Sequence, residues 1–256
     1  MRYAFQVHYI GKNYSGSQIQ FENGRLRENP TIQSELEKAI STLIGGKSAG
    51  EYIRQYKTVF SGRTDKGVNS KGQVVHFDCE QMIVASDFVY HLNEILPCDI
   101  SICDFREVDS HFHAQKSAKM RYYRYEFVNR KYKDAYDGDL MRVKYDIDLA
   151  RMQKSLNYLI GEHDFSSFKS SGTLNPSKVC FIKSAQCKKC DDRVVIDIAG
   201  NRFLYNMVRT IVGTLLEIEG HNRTSEYMKE VLEAKDRRRA GMCVSPYGLT
   251  LMKVEY

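Results

Sequence analysis

The chain has 256 residues, of which 42% are hydrophobic and none is tryptophan, enough apolar material for one large domain or two coupled halves. Its 38 lysines and arginines against 32 acidic residues give a formal charge of +6, a mild lean toward a polyanionic partner. No apolar run reaches the roughly 20 residues of a bilayer span, and seven cysteines without disulfide-like spacing suit a reducing cytoplasm.

In chain order, MRYAFQVHY alternates too strongly for a signal peptide. It sets Tyr3, Phe5, Val7 and Tyr9 against Arg2, Gln6 and His8, the period of a strand. The turn-rich GKNYSGSQIQFENGRLRENP follows without a steady period. TIQSELEKAISTLIGG then places Ile32, Leu36, Ala39, Ile40 and Leu43 on one helical stripe, with Thr31 as cap and Gly45 and Gly46 as stop. KTVFS and GQVVHFDC read as strands. SDFVYHLNEILP is an amphipathic helix with Phe88, Leu92 and Ile95 inward, ending at Pro97. ISICDFREV is a further strand.

The second half repeats this grammar. MRYYRYEFVN alternates, with Tyr123, Tyr125 and Phe127 on one face, and DLARMQKSLNYLIG is helical by its Leu149, Met152, Leu156 and Leu159. CFIKSAQCKK and RVVIDIAG form a hairpin turning at Asp191 and Asp192. NRFLYNMVRTIVGTLLEIEG reads as a long apolar helix, TSEYMKEVLEAKD as a shorter one capped at Thr224, and GLTLMKVEY as a closing strand. The class is α+β with mainly antiparallel sheet, in two halves, 1–105 and 106–256.

Two local motifs bear on chemistry. Cys187 and Cys190 in CKKC have metal-ligand spacing, but no second pair or matching histidines complete a zinc set, so free thiols beside a turn are the expectation. Between the two central strands of the first half, SGRTDKGVNSKGQ holds Asp65 between Gly62 and Gly67, with Arg63 two residues before it. Such a loop is ordinarily a solvated turn. Glycines can also frame a side chain for presentation, and the tyrosine-rich RYYRYEF offers a stacking surface for an aromatic ligand.

The run GRTDKGV resembles the GRTDAGV signature of the TruA family of tRNA pseudouridine synthases. YIGKNYSGSQIQ is similar to that family's opening YDGxxFxGWQxQ, and TIQSELEKAI to the helix after it. HFHAQKSAKMRYYRYEF resembles HARFSAxxRxYxYxI. GEHDFSSF, NRFLYNMVRTIVGTLLEIEG and GLTLMKVEY complete the series in the family's order, so the resemblance covers nearly the whole chain.

The resemblance implies the pseudouridine synthase fold, two α+β halves around a central basic cleft, acting as a homodimer on tRNA in the cytoplasm with neither cofactor nor essential metal. The reaction breaks the N1–C1′ bond of a uridine, rotates the uracil and rejoins it through C5, at positions 38, 39 and 40 of the anticodon stem-loop. Asp65 matches the family's catalytic aspartate, a carboxylate able to attack as nucleophile, stabilise charge at C1′ or take a proton. Tyr123 matches the tyrosine that stacks on the flipped uracil and helps remove the C5 proton. Arg209 matches the arginine that pairs with the carboxylate and keeps it ionised. Arg63 matches the residue that replaces or holds the everted nucleotide. The run KDRRR, Lys235 to Arg239, offers phosphate contacts.

Departures from the family pattern fall at three places. GWQ reads GSQ at Gly16–Gln18, HARF reads HAQK with Gln115 and Lys116, and the histidine of GVHAxGQ is Asn69. Two other classes stay open beside the synthase: a silent RNA-binding relative, and a hydrolase pairing Asp65 with a second carboxylate. Within the family, a synthase for other tRNA positions shares the same signature.

Overall fold

In the computed structural model, which describes residues 1–22, 25–26, 29–45, 56–171 and 177–256, the alternating N-terminal segment forms β1 (Arg2–Tyr9). Two short strands, β2 (Phe21–Glu22) and β3 (Arg25–Leu26), precede helix α1 (Ile32–Gly45). Then come β4 (Val59–Phe60), β5 (Asn69–Asp78), α2 (Ala85–Ile95) and β6 (Ile100–Val108). The next series is β7 (Met120–Asn129), β8 (Arg142–Val143), α3 (Leu149–Asn157), β9 (Gly161–Asp164), β10 (Val179–Cys190), β11 (Arg193–Gly200), α4 (Met207–Gly220) and α5 (Glu226–Ala234). β12 (Leu249–Glu255) closes the chain.

The chain divides into two compact units, residues 1–119 with 251–256, and residues 120–250. In the first, the strands run β6–β1–β5–β12, with β4 also on β5. β1 is antiparallel to both β5 and β6. Tyr3, Phe5, Val7 and Tyr9 are buried as their alternation requires, and they join Leu36 and Ile40 of α1 and Phe88 and Leu92 of α2 in one core. Phe88 and Phe105 meet with ring centroids 4.4 Å apart. Between Val7 and Tyr9 the register against β5 shifts, so that Tyr9 falls opposite Ser70. A bulge of this kind re-aims a side chain, and here it carries Tyr9 to the Asp65 loop.

In the second unit the order is β7–β11–β10–β9, each pair antiparallel, with β8 parallel to β7. The β10–β11 hairpin turns at Asp191 and Asp192 as expected, with Asp191 at φ 55°. Met152, Leu156 and Leu159 are buried, as are Tyr125 and Phe127 of β7. The α+β class and mainly antiparallel pairing hold.

Some boundaries differ from the sequence reading. Thr31 does cap α1, its hydroxyl accepting from the Ser34 N–H at 3.1 Å, whereas Gly46, the expected stop, lies outside the described residues. Ile95, expected inward, is 41% exposed. The chain leaves the helix at Leu96, which turns extended before Pro97 and is buried in place of Ile95. The long apolar helix begins at Met207 rather than at Asn201, because Asn206 takes a left-handed conformation (φ 61°, ψ 9°) that interrupts helical backbone. The cap position of α5 is Ser225 rather than the expected Thr224; it has helical angles (φ −61°, ψ −27°) and no side-chain capping bond, while the Thr224 hydroxyl bonds to the Glu226 side chain.

Candidate active site

The loop from Ser61 to Val68 is flexible by composition and held tight by its surroundings. Its first anchor is Gln73 of β5, which is wholly buried. The Ser61 hydroxyl donates to Gln73 Oε1 at 2.5 Å, and Gln73 Nε2 donates to the Gly62 carbonyl at 2.9 Å. The second anchor is Tyr9, whose hydroxyl shares a 2.8 Å hydrogen bond with Thr64 Oγ1. Burial pushes the Tyr9 hydroxyl up to about 12, so it keeps its proton through the neutral range.

Ser17 is the third anchor, and it has no exposed surface. Its N–H donates to the Thr64 carbonyl at 3.0 Å, and its Oγ accepts from the Thr64 N–H at 2.8 Å. That reciprocal pair fixes the peptides on either side of Thr64, the second of which leads into Asp65. The approach is close enough to require glycine at the neighbouring position. Gly16 sits at φ 112°, and a Cβ there would lie 2.9 Å from the Thr64 carbonyl oxygen. Gly16 and Ser17 in turn take hydrogen bonds from the Ile32 and Gln33 N–H groups at the start of α1.

Asp65 therefore stands, half-buried, at the head of a turn closed by the Val68 N–H onto its own carbonyl at 3.1 Å. Gly67 supplies the positive φ of that turn, 81°. Gly62 supplies nothing comparable: its φ is ordinary and a Cβ there would meet nothing within 4 Å. The frame expected from two flanking glycines is thus made by Gly67 together with the polar side chains of Tyr9, Ser17 and Gln73. Arg63 is exposed, with its Nε donating to Gln18 Oε1 at 2.5 Å.

Tyr123 and Arg209 belong to the second unit. On β7, Tyr125 and Phe127 are fully buried, but Tyr123 two residues earlier is only half-buried, edge-on to Phe203 at 5.1 Å. The alternating face that begins as core at Phe127 thus ends at a partly accessible ring. Arg209 lies in the first turn of α4. Its Nε donates to the Val244 carbonyl at 2.7 Å and its NH1 donates to Asn206 Oδ1 at 2.8 Å. The Val244 segment is pressed onto α4 through facing glycines, since a Cβ on Gly213 would fall 1.7 Å from the Met242 carbonyl oxygen. Arg209 is consequently held by backbone and side chain alike.

The departures from the family pattern have local roles. Ser17 fills its place by clamping Thr64. Asn69 Oδ1 accepts from the Gly11 N–H at 2.9 Å, pinning the turn after β1 against the loop. Gln115 and Lys116 are exposed, and their N–H groups converge on His113 Nδ1 at 3.2 and 3.3 Å. In KDRRR, Arg238 pairs with Asp236 at 2.8 Å and Arg237 caps the Ala240 and Gly241 carbonyls. Cys187 is half-buried with its thiol toward the Leu149 carbonyl, and Cys190 is exposed. No group of three or more metal-ligating side chains occurs among the described residues.

Sequence reasoning named Asp65, Arg63, Tyr123 and Arg209 but passed over Tyr9, Gln73 and Thr64, and it read Ser17 only as a lost aromatic. The signal for them was faint: Tyr9 looked like one more core aromatic, and Gln73 like one polar residue in an apolar strand.

A family model described as tRNA pseudouridine synthase matches residues 156–256. Curated relatives match over nearly the full length, each bearing the name tRNA pseudouridine synthase A. The protein of Colwellia psychrerythraea is 38% identical over all of this chain and 94% of its own. That of Brevibacillus brevis is 37% identical over 97% of this chain and 96% of its own. The relative in Caldicellulosiruptor saccharolyticus is 39% identical over 98% of this chain and 97% of its own.

Proposed function

From a chain that belongs to the tRNA pseudouridine synthase A family, we propose an isomerase that converts uridine to pseudouridine in the anticodon stem-loop of tRNA. The observation that carries this reading is the rigid presentation of Asp65 by three buried anchors. A lone carboxylate acts as a nucleophile or base only if its place is set before the substrate arrives.

Asp65 attacks the nucleoside, the N1–C1′ bond breaks, and the freed uracil turns until C5 faces C1′. The C5–C1′ bond then forms, the bond to Asp65 breaks to return the carboxylate, the C5 proton leaves and N1 takes one up, so the reaction balances without redox change. Tyr123, half-buried at the end of its strand face, stacks on the uracil and assists removal of the C5 proton. Arg209 serves as the cation that keeps the carboxylate ionised. A stem uridine must first leave its stack, which costs a few kcal/mol, and Arg63, exposed beside Asp65, holds the everted nucleotide. The enzyme works as a homodimer in the cytoplasm, in keeping with seven free cysteines.

The test is release of tritium from unmodified tRNA labelled at uracil C5, comparing wild type with Asp65→Ala. Release by the wild type and a loss of at least about 10³-fold in the variant, with tRNA binding retained, supports the proposal. Binding without release by either protein overturns it in favour of a silent RNA-binding relative, and free uracil as product would mark a hydrolase.

A further inference from the structure

β7 ends at Asn129 in a loop, residues 130–141, that none of the roles above uses. Arg130 lies beneath it with a side chain only 12% exposed, bonded to Asp137 and Asp192 and 3.8 Å from Asp134. Asp134 and Asp137 also cap a single helical turn, accepting from the Tyr136 and Asp134 N–H groups. Three carboxylates are therefore engaged by Arg130. What the loop turns outward is Lys131, Lys133, Asp139 and two tyrosines, Tyr132 at 68% and Tyr136 at 93% exposure. The Arg130 guanidinium lies 5.0 Å from the Tyr132 ring centre.

The β10–β11 hairpin is tied to the same loop. The Asn129 N–H donates to the Asp192 carbonyl at 2.7 Å, and Lys189 Nζ donates to Asn129 Oδ1 at 3.0 Å. This brings Lys188, Lys189 and Arg193, all exposed, to the same end of the sheet. The two lysines are those of CKKC, a motif with no other use on this chain.

We propose that this end of the second unit docks tRNA at nucleotides remote from the reacting uridine, a reading that rests on the synthase function above. Charge complementarity selects the partner, because Arg130 neutralises Asp134, Asp137 and Asp192, and the outward bases Lys131, Lys133, Lys188, Lys189 and Arg193 then outnumber the outward acids Asp139 and Asp191. Such a surplus attracts phosphates. An exposed tyrosine ring stacks on any unpaired base. Tyr123 lies six residues before Asn129 on the same strand, about 20 Å at ~3.3 Å per residue. The loop's contacts therefore fall on a different part of the RNA from the base that Tyr123 holds.

The experiment compares Lys131→Gln/Lys133→Gln and Tyr136→Ala with wild type on two substrates, unmodified full-length tRNA and an isolated anticodon stem-loop. All three positions are exposed, so the variants fold. The expected result for full-length tRNA is a KM raised roughly tenfold at unchanged kcat, with the double variant's salt dependence of binding flatter by about two in log–log slope. The stem-loop constants should not move. Unchanged constants on full-length tRNA, with an active wild type, overturn the docking surface and leave the synthase intact. Equal losses on both RNAs overturn it too, since the contact would then lie at the reacting arm. A wild type that isomerises neither RNA defeats the synthase reading, and this one with it.

Discussion

Two polar, turn-rich loops of this protein have similar composition and opposite construction. In the Asp65 loop the polar side chains around it point inward: Tyr9, Ser17 and Gln73 are buried and spend their hydrogen bonds on the loop. In the loop after β7 one arginine below gathers Asp134, Asp137 and Asp192, and the tyrosines and lysines point out. Loop composition alone therefore does not say whether a loop is a fixture or a display. What separates the two is where the anchoring groups reside: on β1, β5 and the segment after β1 in one, at Arg130 in the loop's own base in the other.

The comparison can be broken most severely at Gly16. Gly16→Ala forces a Cβ against the Thr64 carbonyl at a φ of 112°. Strain of roughly 1–3 kcal/mol is expected in the urea midpoint. A displacement of the Asp65 turn near 1 Å would lower single-turnover isomerisation about 10²-fold. Unchanged turnover would mean that the clamp does not position the carboxylate.

A second test uses pH. His76, buried in β5, accepts from the Ala114 N–H at 3.1 Å, and burial together with nearby Arg2 and His113 brings it down to about 4. An unfolded histidine titrates near 6.5, so between these values the unfolded chain binds the extra proton. Stability is whole above about 6.5 and is lost as pH falls toward 4, by at most roughly 3 kcal/mol. His76→Asn keeps an acceptor without the titration. Its urea midpoint should fall less than that of wild type between pH 7 and pH 4.5, and parallel falls would refute the assignment.

Arg130→Ala addresses the outward loop. Removing the cation between Asp134, Asp137 and Asp192 should cost about 1–3 kcal/mol of stability. Turnover of an isolated anticodon stem-loop should stay at the wild-type rate, since Asp65 and its anchors lie elsewhere in the chain. A lost stem-loop rate at full folding would show that the two loops are not separate devices. Gly62→Ala is the smallest change. With ordinary φ and open space for a methyl, it should alter stability by no more than about 0.5 kcal/mol and leave turnover intact, in contrast to Gly16 within the same loop assembly.

The sequence by itself determined the α+β alternation, because period-two and period-3.6 apolar patterns such as Tyr3–Phe5–Val7–Tyr9 and Ile32–Leu36–Ile40 each have one way to bury their face. Its resemblance to the family also indicated which chemistry-bearing residues to watch, since GRTD and NMVR are short local runs that match as motifs. Only the tertiary structure decided what holds them. Tyr9 and Ser17 lie 55 and 47 residues from their partner Thr64, and Gln73 lies 11 from its partner Gly62, and a hydrogen bond across such separations leaves no period in the chain. The start of α4 was hidden for a related reason. Asn206 is one residue in an apolar run, and its left-handed turn serves Ser170 and Arg209, partners that only the folded chain brings to it.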